Sequence, residues 1–453
     1  MNYKIKYKKL FLGSVICFTN IAFGMNLINY YDTLILPVKN DCSRYQFYAT
    51  GQTGFSTKSF DECECVSNVL RIWNKDQNAL KMLEGFCANT KIGQLRTRLD
   101  ANDDKIRGHF KVCGDLDVNF AGEIGGWFYF NKEFFVSLQL PIYSMKLKNV
   151  SWKDMTKEVS ADDFRVKNYL TNNFTNNVKK LGCLDICGWK RSGIGDLAVL
   201  FGWRRDFLQE KKLLKNVRLG ARAGLTLPTG KKTDEDKLFA FAFGNDGAVG
   251  ALLGGGLDLT FGSCTRAGLD VQLLYPFGNT KCRRIKTHLC QTDLLFLKKV
   301  DTYKSFALTQ RFNLYLEFFK KGFSFKAGYQ FMRKGEDILY ICSNEFSDDI
   351  ANTAESLQDW TMHSIVANAS YHFWSDYNDC CDCDIHGSSS CGCGSCGCGC
   401  SSGYSSDSKS FDDCDSDCEH RVHPYIGLFV KIPFNGMCVS MERTIGITFG
   451  IDF

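Results

Sequence analysis

Segments in which apolar residues alternate strictly with small or polar ones recur along this chain, and they constrain its fold more than any other feature. The clearest cover residues 249–261 and 267–277. In the first, Val249, Ala251, Leu253, Leu257, Leu259 and Phe261 share one face, and Gly250, Gly254, Gly256, Asp258 and Thr260 share the other. In the second, Leu269, Val271, Leu273, Tyr275 and Phe277 oppose Gly268, Asp270, Gln272 and Pro276. A side-chain period of two is that of a β-strand with one apolar face. Gly262-Ser263-Cys264-Thr265 between them predicts a hairpin turn. Residues 442–453 repeat the pattern, with Ile445, Ile447, Phe449, Ile451 and Phe453 on one face. In a soluble sheet that face meets a core. In a membrane barrel it meets lipid, and the polar face lines the lumen.

The pattern predicts twelve strands, at residues 45–55, 118–130, 134–142, 194–205, 216–227, 248–261, 266–277, 304–318, 323–333, 362–374, 422–434 and 443–453. An even count suits a single-chain bacterial barrel. The expected fold is therefore all-β, a transmembrane antiparallel β-barrel of about 12 strands spanning residues 25–453, with helical and Cys-rich loop insertions. Loop lengths argue the same way. Long connections at 57–117, 147–193, 228–247, 278–303 and 334–361 alternate with short turns at Asn131, Lys211, Cys264 and Lys320. Outer-membrane barrels have short periplasmic turns and long outer loops, whereas a soluble sandwich has no reason for this rhythm. Segments 57–117 and 147–193 read as long loops or a partial plug, with helical patterns at 74–84 and 161–181. The rhythm breaks at the Cys-rich insertion 375–421, which falls on the short-turn side. Either it is a periplasmic insertion or one earlier strand is miscounted.

The N-terminus reads as a secretory signal peptide over residues 1–24. Lys4, Lys6, Lys8 and Lys9 form a basic region, residues 10–23 a short apolar one, and Ala22-Phe23-Gly24 a cleavage site. The formal charge of +5 owes most of its excess to those four lysines. A nearly neutral mature chain argues against a nucleic-acid partner, which would require a basic surface. No other stretch reaches the roughly 18 apolar residues of a membrane helix.

Two resemblances sharpen this reading. The alternating segment that ends on Phe453 resembles the terminal strand of Gram-negative outer-membrane β-barrels. The resemblance implies that Ile445, Ile447, Phe449, Ile451 and Phe453 form an assembly signal read by the barrel-assembly machinery, and that outer-membrane lipid is a partner. Gly193-Ile194-Gly195-Asp196-Leu197 and Leu227-Pro228-Thr229-Gly230 resemble motifs of outer-membrane transport barrels of the FadL-like and phenol-degradation group. That resemblance, over about forty residues, implies barrel architecture and passive uptake without fixing a substrate.

On the barrel reading, twelve charged residues turn to the lumen: Arg204, Arg218, Arg222, Arg266, Arg311, Lys326 and Lys431, with Glu123, Asp196, Asp258, Asp270 and Glu317. They form either a polar permeation path or a salt-bridge network that fills a narrow interior. Mixed signs predict weak charge selectivity.

Cysteine is abundant, at 23 residues. In an exported chain the plain expectation is disulfides, with Cys183, Cys187, Cys282 and Cys290 as candidates for stapling exposed loops. Cys391, Cys393, Cys396, Cys398 and Cys400 sit in a Gly/Ser-rich stretch whose spacings suit either a disulfide loop or a soft metal ion. No other cofactor is expected. Enzyme signals are thin: the seven histidines show no shared metal spacing, and Gly193-Ile194-Gly195 precedes a strand, which removes a nucleotide reading. The expected function is passive passage of small solutes across the cell outer membrane. A closed barrel displaying disulfide-rich loops for surface interaction or adhesion is the alternative.

Overall fold

The computed structural model describes residues 30–36, 43–373 and 422–453. Twelve of its strands close into one antiparallel barrel: β1 (Tyr45–Ser56), β2 (His109–Tyr129), β3 (Phe134–Asp154), β4 (Leu197–Leu208), β5 (Leu214–Leu227), β6 (Gly250–Phe261), β7 (Thr265–Pro276), β8 (Thr309–Lys320), β9 (Phe323–Lys334), β10 (Trp360–His372), β11 (His423–Met437) and β12 (Arg443–Asp452). Each pairs with its sequence neighbours, and β12 returns to β1 in a register running from Gln46 opposite Asp452 to Phe55 opposite Arg443. Closure leaves no barrel edge unpaired. Phe453 completes the seam. Its carbonyl accepts the Arg44 and Tyr45 N–H groups at 3.0 and 2.7 Å, and its ring stacks on Tyr45 and Phe47.

The alternation faces outward as a membrane barrel requires. Leu253, Leu314, Leu316, Ile365, Leu428 and Ile445 are all more than half exposed. Phe449, Ile451 and Phe453 are exposed and Ile447 half-exposed, while Thr444, Thr448 and Asp452 between them are buried. So continuous an apolar belt is covered only by a bilayer. Among the described residues no helix is long and apolar enough to cross a membrane.

Among the described connections the long ones leave one end of the barrel, and the short turns, with the start of β1 and the end of β12, lie at the other. Because the twelve strands are consecutive, the chain after β10 emerges at the short-turn end. The broken loop rhythm therefore does not come from a miscounted earlier strand. Residues 374–421, with Cys391, Cys393, Cys396, Cys398 and Cys400, lie outside the described residues.

At the long-loop end the loops build a cap. Strands β2 and β3 run 21 residues each, well beyond the membrane span, and β3 also pairs with a strand at Trp189–Ile194. Val69, Leu70, Ile72, Met82 and Leu83 from one loop pack with Val166, Leu170 and Val178 from the next, and with Leu238, Phe243 and Leu295 from two more. Helices α1 (Lys91–Arg98), α2 (Ala161–Val166) and α3 (Phe174–Gly182) lie in this cap. The helical pattern at 161–181 appears as α2 and α3 joined by a π-helical turn at Lys167–Thr171. The one at 74–84 does not: Gln77–Asn78 pairs with β2, and only Lys81–Leu83 coils, as a 3-10 turn. Burial of Ala79, Met82 and Leu83 in the shared core overrides helix propensity there.

No disulfide joins any described cysteine, which corrects the stapled-loop expectation. Leu184 and Ile186 are drawn into the cap core, and this alternation leaves Cys183 and Cys187 exposed in solvent. Cys282 is exposed on a small cap sheet opposite Asp301. Cys290 is exposed in a turn where its N–H donates to His288 Nδ1. Hydrophobic burial holds these loops together in place of cross-links.

Candidate functional site

The barrel interior is the site, and a segment ahead of the first strand occupies it. Residues 30–36, Tyr-Tyr-Asp-Thr-Leu-Ile-Leu, turn within the lumen, with the Ile35 and Leu36 N–H groups donating to the Asp32 carbonyl at 3.0 and 2.9 Å. Neither 57–117 nor 147–193 provides this plug; their residues fold into the cap.

Polar wall residues of β8, β9 and β10 grip the plug by its backbone. Arg311 Nη2 donates to the Tyr30 and Tyr31 carbonyls at 3.0 and 2.8 Å. Lys326 Nζ donates to the Thr33 carbonyl at 2.8 Å, and Asn368 Nδ2 to that of Ile35 at 2.8 Å. The Asp32 carboxylate accepts from Gln330 at 3.1 Å and Asn313 at 3.3 Å. Apolar contacts finish the seal. Tyr30 packs among Ala198, Leu200, Leu252 and Leu274. Leu34 lies against Tyr315 and Val366. Leu36 joins Tyr48, Trp127, Tyr129, Phe135 and Tyr425. The Arg222 guanidinium sits 4.3 Å over the Tyr31 ring centroid.

Around the plug the expected lumen charges stand on the inner wall, and most are engaged. Arg222 forms a two-bond pair with Asp270, at 2.7 and 2.9 Å, both groups buried. Gln272 Oε1 bridges Arg222 and Arg311, accepting from each at 3.0 Å. Arg266 pairs with Glu317 at 3.1 Å, and Ser324 donates to the same carboxylate at 2.8 Å. Tyr315 donates to Asp258 at 2.5 Å, and Lys431 to Gln330 at 2.5 Å. Arg218 pairs with Asp206 at 2.8 Å. Tyr48 donates to Glu123. Arg204 lies 5.9 Å over Tyr129. On the short-turn side of the plug, Arg204, Arg218, Arg222, Asp258 and Tyr31 line a cavity of about 100 Å³.

Asp196 is different in kind. It is fully buried at the cap-side rim, where its carboxylate accepts the Gly230 and Asn245 N–H groups at 2.8 and 2.5 Å. A Cβ at Gly230 or Gly244 would come within 2.7 or 2.4 Å of that side chain. Thr229 Oγ1 donates to the Gly195 carbonyl and accepts the Leu197 N–H, both at 2.9 Å. The Gly193–Leu197 and Leu227–Gly230 motifs thus form one latch between the start of β4 and the end of β5. The Tyr30 hydroxyl donates to the Asp196 carbonyl at 2.8 Å and ties the plug to it.

The plug itself was not read from the sequence. Seven residues set between the signal-like region and the first strand carry no periodicity, and the wall groups that hydrogen-bond to them lie some 160 to 330 positions away. The one available signal was Asp32 within a short apolar run.

No family profile matches the chain, and no curated protein matches it. Solved structures do align. The COG4313 outer membrane channel from Pseudomonas putida F1 is 10% identical, with 94% of this chain and 100% of that chain covered and a TM-score of 0.45. The Ralstonia pickettii toluene transporter TbuX is 9% identical over 90% of this chain and 89% of that one, with a TM-score of 0.31. A Pseudomonas aeruginosa FadL homologue is 7% identical over 90% and 88%, with a TM-score of 0.23. This chain is a closed twelve-stranded barrel. That statement rests on its own strand pairing, and likenesses this remote add nothing to it.

Proposed function

We propose that the protein is a passive channel for small solutes in the outer membrane, closed in this conformation by residues 30–36. The observation that carries this reading is that the wall does not fill its own interior. Inward positions on β5, β6 and β7 are repeatedly glycine, at Gly220, Gly224, Gly254, Gly256 and Gly268. The space is taken by a separate segment held through its backbone carbonyls. A barrel built only as a solid anchor would pack its lumen with side chains of the wall. Removal of seven residues would release Arg311, Lys326 and Asn368, which now donate to plug carbonyls, into a lumen that already carries charged pairs, the chemistry of a water-filled pore.

A display role for disulfide-stapled loops is not favoured, because the described loop cysteines are unpaired and the loops share a hydrophobic core.

Planar-bilayer recording tests the proposal. The variant lacking residues 30–36 is expected to show a larger unitary conductance than the intact protein. Equal conductance would remove the plug role, and silence in both proteins would remove the channel.

A further inference from the structure

The basic charges of the lumen stand on one side, whereas acids occur on both. The seven inward basic residues stand on β4, β5, β7, β8, β9 and β11. The four neighbouring strands β12, β1, β2 and β3, a third of the wall, carry no inward Lys or Arg over the rows Glu442 to Asp452, Gln46 to Gly54, Ala121 to Trp127 and Ser137 to Tyr143. They do carry three inward carboxylates: Glu442 at the cap-side rim, Glu123 at mid-height opposite Thr50, and Asp452 at the short-turn end opposite Gln46. The bordering cations stand at the edges of this wall. Lys431 on β11 donates to Gln330, and only Arg204 on β4 reaches onto it, at Tyr129 on the short-turn end of β2, away from Glu123 and Glu442.

The plug divides along the same line. Its hydrogen bonds to barrel strands go to β8, β9 and β10. On the β1–β3 side a cavity of about 50 Å³ remains between Asp32 of the plug and Thr50, Gln52 and Glu123 of the wall. The carboxylates also differ in their partners. Asp206, Asp270 and Glu317 on the basic side each face an arginine within 3.1 Å. Glu442 is fully buried, and neither of its oxygens has a hydrogen-bond partner. A buried carboxylate left so is costly, and a passing cation is the partner that such a geometry accepts.

We propose that the β12–β1–β2–β3 wall is a cation lane. It admits small cations and amine-bearing solutes in preference to anions, with Glu442 as the cap-side contact and Glu123 as the mid-lumen one. The inference rests on the channel reading and names its solute class. Carboxylates in a column select cations because the low-dielectric barrel strengthens their field across a narrow path. The arginine wall holds the plug and its own acids, so its positive charge is largely neutralised locally.

The test is the reversal potential of the variant lacking residues 30–36 in a KCl gradient. K⁺ is expected to permeate several-fold better than Cl⁻. Glu442→Gln and Glu123→Gln should each lower that ratio, and the double variant should bring it near parity. If Glu442→Gln fails to fold, Thr448→Lys, which places a cation in the same lane, should lower the ratio instead. A conducting pore that is unselective or anion-selective, or a ratio unmoved in the double variant, overturns the lane and leaves the channel standing. A silent pore overturns both.

Discussion

In the cap, Phe110 lies face to face with Phe174, ring centroids 4.0 Å apart and fully shielded. In the barrel, Leu314 occupies an equally regular alternating strand and is 53% exposed on the outside. Below the cap, the buried positions belong instead to Arg222, Asp270, Gln272 and Arg311. One chain therefore runs two inverted burial schemes along continuous strands. Strands β2 and β3 pass through both: their outer ends pack Phe110, Val112 and Leu147 into the cap, while their lower ends put Glu123 and Gln139 inside and Ile124 and Leu138 outside. The change follows from solvent. Where water surrounds the strand, the apolar face must turn inward, and where lipid surrounds it, the polar face must.

Substitution should separate the schemes. The largest effect is expected in the cap. Phe110→Ala removes a stacked ring from a dry core and should cost about 4 kcal/mol, seen as rapid proteolysis of the cap with the barrel still heat-modifiable on gels. Leu314→Ala serves as the contrast and should leave unfolding in detergent nearly unchanged, since lipid-like chains solvate either residue. Equal effects would mean that the cap has no cooperative core.

In the lumen, Arg222→Ala strands the buried Asp270 carboxylate and should cost about 3 kcal/mol, read by urea unfolding in micelles. An unchanged midpoint would show that water reaches Asp270 freely and that the plug does not seal the lumen.

A smaller, pH-dependent effect is expected where cap and barrel meet. Burial alone would raise the Asp337 carboxyl. The ammonium groups of Lys304 at 2.7 Å and Lys334 at 2.5 Å outweigh it and hold the group down at about 2. A depressed carboxyl stabilises the fold above its unfolded value and loses that contribution as pH falls through the folded one. About 2 kcal/mol should therefore vanish between roughly pH 4 and pH 2. Asp337→Asn should abolish that portion of the pH dependence, and a variant that keeps it would refute the assignment.

Local pattern made much of the fold legible. All twelve barrel strands lie where alternation put them, because a strand's two faces are recorded residue by residue. The shift of β2 and β3 from their expected ranges to 21 residues each is the main departure. Their outer halves lack the lipid-facing pattern, since the cap covers one side. The inward positions of Arg222, Asp270, Arg311 and Glu317 were legible for the same reason. Their pairings were less so: Arg222 meets Asp270 from two strands away, across Gly254 and Gly256, whose missing side chains let the guanidinium pass.

By itself, then, the sequence determined strand positions, strand count, which residues face lipid and which end carries the loops, all properties of period and spacing along the chain. Tertiary structure alone decided the rest. The plug, the cap core and the confinement of the inward arginines and lysines to one side of the wall arise only when β12 closes onto β1 and residues hundreds of positions apart become neighbours. Cysteine content promised covalent staples, but Leu184 and Ile186 show why the outcome differs: burying apolar side chains set the loop path, and that path left Cys183 and Cys187 in solvent.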